Sequence, residues 1–107
     1  MNFPELLSEV DRLKCAEKRA KTDCYLEAVV TQTECQPLAA ILGVYFGTPL
    51  KPAGAMPSGD AGRYSKPYGG VRRDQTMYYR KSEGFTDVAL LWPWGDGNSV
   101  TVKIIRE

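Results

Sequence analysis

At 107 residues, 43% hydrophobic and 25% charged, the chain has the composition of an ordinary globular protein with room for one core and not two. Fourteen basic residues against thirteen acidic ones leave a formal charge of +1, which excludes a global field drawing the whole protein to nucleic acid or anionic lipid. The chain has no histidine, so the commonest general base near neutral pH and the commonest metal ligand are both missing.

The first predicted element is a helix over 4–21. Asn2 is placed as N-cap with Glu5 as its capping-box partner, and Pro4 is tolerated in the first turn. Leu6, Val10, Leu13 and Ala20 recur at helical spacing, and Glu17 and Lys21 form a favourable i,i+4 pair. The start is acidic where a leader peptide needs a basic region, and the longest uncharged stretch, 35–50, is too broken by proline and glycine to span a bilayer. With Cys15, Cys24 and Cys35 too widely spaced for a disulfide framework or a zinc knuckle, the expectation is a reduced, cytoplasmic protein without metal or cofactor.

Residues 24–31, "CYLEAVVT", alternate as a strand does. A second helix is predicted over 34–46, with Thr33 as N-cap, Gln36 in the capping-box position, and Gly47 and Pro49 as its stop. Leu38, Ile41, Leu42 and Tyr45 form its expected buried stripe, although the helix is apolar all round.

From 48 to 74 the composition shifts to four prolines and five glycines, and the segment reads as one long loop. It holds five of the fourteen basic residues (Lys51, Arg63, Lys66, Arg72 and Arg73) and two of the thirteen acidic ones, Asp60 and Asp74. The expectation is a loop that is mobile alone and ordered by a ligand.

The last third reads as three strands, "QTMYYRKS", "FTDVALLW" and "SVTVKII", with a turn at "PWGDGN". Val100, Val102 and Ile104 are expected on one face opposite Val88, Leu90 and Trp92, and Tyr78 and Tyr79 on opposite faces. Element order αβα, long loop, βββ predicts a single α+β domain over 1–107, with two helices on one face of a small, mostly antiparallel, four-stranded sheet. The other face is partly polar, which permits a homodimer.

No serine elbow, Walker loop or close carboxylate pair is present. An enzyme would have to use Cys35, in the first turn of the second helix, or an aspartate of the loop. The stronger candidate is the motif "YGGVRR": two glycines let the backbone approach an anion, and the paired arginines do nothing for the strand that follows. The predicted site is therefore Arg72, Arg73, Lys66, Arg63, Tyr68, Gly69, Gly70, Tyr78 and Trp94, in a binding module for a protein partner or an anionic ligand. Basic side chains interleaved with tyrosines are also what single-strand nucleic-acid binders use, and this is the second expectation. A pI near 7.7 lies below the basic footprint of such modules.

Overall fold

Asn2 opens the first helix as its sequence predicts: its side chain accepts from the Glu5 amide at 2.9 Å, and its own N–H donates back to the Glu5 carboxylate at 3.2 Å. The helix, α1, is short, however. In a computed structural model describing residues 1–107, α1 runs Phe3–Asp11 and is followed by strand β1, Cys15–Lys21. The predicted helix over 4–21 is thus a helix only as far as Asp11 and a strand from Cys15 onward. "CAEKRAK" favours a helix locally, but pairing with β2 (Tyr25–Thr31) overrides that weak preference. β1 is a sheet edge, and its charged side chains and two register irregularities are devices that keep such an edge from pairing further. Lys18 and Lys21 reach back to Asp11 at 3.0 and 3.2 Å and hold its carboxyl below the usual range.

The second helix, α2, spans Cys35–Phe46 after a 3-10 turn at Gln32–Glu34. That turn displaces the predicted Thr33 cap, and no side chain caps the helix. Gly47, at φ +80°, ends it as predicted. Leu38, Leu42 and Tyr45 are buried and Ile41 half-buried, while Val44, 71% exposed, gives the helix an open outer face.

The largest departure is at 48–74. The expected loop contains a helix, α3 (Gly59–Ser65), and a 3-10 turn (Lys66–Tyr68). Ser58 caps α3 by accepting from the Ala61 amide. Lys51 anchors the segment. It is 1% exposed, and its Nζ donates to the carbonyls of Pro52 (2.9 Å), Arg73 (2.6 Å) and Gln75. Its N–H and C=O also pair with Met77 on the next strand. Burial holds its amine below the ordinary lysine range.

Strands β3 (Thr76–Ser82), β4 (Phe85–Pro93) and β5 (Ser99–Arg106) complete an antiparallel sheet ordered β1-β2-β5-β4-β3. The fold is α+β, with five strands rather than four. Helices α1 and α2 cover one face, where Leu26, Ala28, Val30, Tyr78, Ala89, Val102 and Ile104 meet them. On the opposite face a smaller core of Ala61, Val71, Met77, Val88 and Leu90 lies under α3, and Tyr64 stacks on Tyr79 at 4.4 Å. Tyr78 and Tyr79 therefore do face opposite sides.

The register of the last hairpin differs from expectation by one residue. Val100, Val102 and Ile104 lie opposite Pro93, Leu91 and Ala89, so Val88, Leu90 and Trp92 point to the α3 side. Pro93 continues the strand, and Trp94 N–H still pairs with the Ser99 carbonyl, which shortens the turn and flips the β4 alternation. No helix is long and apolar enough to cross a membrane.

Four phenols are pushed up. Tyr25 and Tyr68 reach about 12, and Tyr45 and Tyr78 move the same way, in each case chiefly by burial. Glu27 beside Tyr25 and Asp87 beside Tyr45 add to the shift. A folded value above the unfolded value of about 10 makes the phenol's contribution complete below pH 10, to be lost as pH rises towards 12. Denaturation midpoints should fall over that interval, with tyrosinate absorbance rising later in folded than in unfolded protein. Coincident titrations in the two states would refute it.

Candidate functional site

The "YGGVRR" segment closes α3 and leads into β3. Gly69 and Gly70 both have positive φ, +95° and +83°, which only glycine adopts freely and which turns the chain back over the sheet. Their N–H groups are already spent: Gly69 donates to the Lys66 carbonyl and Gly70 to that of Ser65. The anion contact expected from these amides is therefore not on offer. The glycines instead form one wall of a cavity of about 260 Å³, shared with Arg72, Gln75 and Trp92.

The other three wall residues bring donors. Arg72 is exposed, and its guanidinium makes no ion pair or hydrogen bond within the protein. Gln75 is 6% exposed, and its Oε1 accepts from the Arg72 amide at 2.8 Å, which fixes the amide orientation and leaves Nε2 without a partner. Trp92 Nε1–H is buried and has no acceptor. An orphaned buried donor of this kind costs about 1–3 kcal/mol unless something accepts from it. The Lys103 ammonium, 4.2 Å from the Trp92 ring centroid, adds positive charge close by.

The remaining predicted residues do not join this cavity. Arg63 is held on α3 by Asp60 at 2.7 Å and lies over the Tyr64 ring. Arg73 donates to the Gly54 carbonyl and ties the 52–54 turn to the end of α3's excursion. Lys66 is exposed on the 3-10 turn. Tyr68 packs half-buried against the smaller core. Tyr78 lies on the opposite sheet face. Trp94, 40% exposed, shares the face of Trp92, but its Nε1 donates to Thr101 Oγ1 at 2.8 Å and its ring lies beside Arg19.

The residues set aside for catalysis are placed as follows. Cys35 is half-buried, and burial pushes its thiol up, away from the thiolate a nucleophile needs. Of the two aspartates of the 48–74 segment, Asp60 pairs with Arg63 and Asp74 is exposed. No group of three or more Cys, Asp or Glu residues could hold a metal ion.

Sequence reasoning reached Gly69, Gly70 and Arg72 but missed Gln75 and Trp92. Trp92 was hidden by the inverted alternation of β4, which assigned it to the helix-covered core. Gln75 carried one signal, a polar residue immediately before a strand whose next residues alternate cleanly. No protein-family model, curated protein or solved structure matches the chain.

Proposed function

We propose that this protein is a binding module whose Gly69–Gly70–Arg72–Gln75–Trp92 cavity takes a small anionic group, a carboxylate or a phosphate. The observation that carries this reading is that the residues walling one cavity hold three donors without protein partners: the Arg72 guanidinium, the Gln75 carboxamide and the Trp92 indole N–H. No acceptor or carboxylate lines the cavity beyond backbone and the Gln75 oxygen, which is already engaged, so a ligand rich in acceptors is the complementary one. The glycines keep the wall bare of side chains, giving such a group room beside the backbone. Three free thiols suit a reducing, cytoplasmic setting.

The test is calorimetric titration with sodium phosphate and, separately, sodium acetate. Saturable binding of one or both is expected, with Arg72→Ala weakening it about 10- to 100-fold, as loss of a charge-assisted hydrogen bond implies. Arg63→Ala, which removes a cation engaged elsewhere, should leave affinity unchanged. Equal loss in both variants would mean diffuse charge rather than a site, and no binding of either ion would end the proposal.

A further inference from the structure

A second cavity, of about 400 Å³, lies on the other side of the sheet, between α2 and the 49–53 segment. Thr76 and Tyr78 on β3, Leu91 on β4 and Val100 on β5 alternate onto the helix-covered face and form its floor, while Cys35 on α2 and Pro49 form walls. A dry apolar cavity of about 150 Å³ is enough to hold benzene, and ligand pockets begin at about 300 Å³.

The lining is largely apolar, and its polar groups are the Gln32 carboxamide at the exposed rim and the Thr76 and Tyr78 hydroxyls on the floor. Tyr78 is 5% exposed, its ring packs against Phe46 at 5.5 Å, and its hydroxyl makes no hydrogen bond within the protein. The neighbouring buried phenol, Tyr45, donates to Asp87, as buried tyrosines normally find a partner. The Tyr78 hydroxyl therefore reaches the cavity as an unspent donor, with the hydroxyl of Thr76 on the same strand face also unpartnered. An entirely apolar ligand would leave Tyr78 unsatisfied, and a charged one would have no counter-ion among these residues.

We propose that this cavity binds a small, mainly apolar molecule carrying one neutral hydrogen-bond acceptor, such as a carbonyl, which accepts from Tyr78. This site is independent of the anion cavity, with which it shares no residue.

The experiment is a ¹⁵N amide titration of the full chain with two probes of like shape, acetophenone and ethylbenzene. Acetophenone should give saturable shifts centred on Cys35, Thr76 and Leu91. Its affinity should fall about fivefold in Tyr78→Phe, the worth of one neutral hydrogen bond, while ethylbenzene binds both proteins alike. Ala39→Trp, a substitution at an exposed rim position that fills the cavity, should abolish the shifts for both probes in a spectrum that otherwise stays dispersed. Absence of saturable shifts in the folded wild type, shifts that persist in Ala39→Trp, or equal acetophenone affinity with and without the Tyr78 hydroxyl would each overturn the proposal.

Discussion

Replacing Asp87 with alanine is expected to cost about 3–5 kcal/mol and to lower Tm by more than about 12 °C, the largest effect of any single polar substitution in the chain. Asp87 is completely buried on β4, opposite Arg106 of β5. Arg106 donates to it bidentately, Nε to Oδ1 at 2.8 Å and Nη2 to Oδ2 at 3.0 Å. Tyr45 on α2 donates to Oδ2 at 2.5 Å, and Arg106 also donates to the Tyr45 oxygen at 3.1 Å. Helix α2 is thus fastened to strands β4 and β5 through one carboxylate. Its removal strands a guanidinium sandwiched between Phe3 and Phe85, both rings within 4.3 Å. The carboxylate in turn holds the Arg106 guanidinium above its ordinary value. Thermal denaturation of Asp87→Ala measures this, and a loss below about 1 kcal/mol would show that the triad is dispensable.

Replacing Lys51 with methionine is expected to destabilise the protein by about 2–4 kcal/mol, because methionine fills the stem's volume but leaves three carbonyls without their charged donor. The cost should be local as well as global. Two of those carbonyls belong to Arg73 and Gln75, next to the cavity proposed for an anion, and the Gln75 side chain forms part of its wall. Anion affinity should therefore fall in Lys51→Met although Lys51 does not line the cavity, and amides at 73–77 should exchange faster than those of β2. Unchanged affinity in a destabilised variant would separate the clamp from the site.

Much of this was legible in the sequence where local and tertiary preferences agree. The Asn2–Glu5 box, the Gly47 stop and the alternation of 25–31 and 99–106 were all readable, because packing asked of those residues what their chemistry already favoured. Residues 15–21 were misread because an exposed edge strand has no buried face to print an alternating pattern, so its helix-favouring side chains speak unopposed. The 48–74 segment was misread for a related reason. Its order depends on Lys51, a residue whose type signals solvent and whose burial only the fold reveals. At the candidate site the glycine turn and Arg72 were visible, whereas Trp92 required the register of β4 and Gln75 required knowing that Arg72's amide claims its oxygen.

The two indole N–H groups offer the most direct measurement of the central claim, since Trp94 Nε1 is bonded to Thr101 and Trp92 Nε1 is not. Their resonances should be followed in a ¹⁵N spectrum as phosphate and acetate are added at constant ionic strength. A saturable movement of the Trp92 indole and the Gln75 carboxamide, with the Trp94 indole still, is the result expected of an acceptor entering the cavity. A Trp92 indole that stays fixed while anion is raised to saturation of any other shift would contradict it.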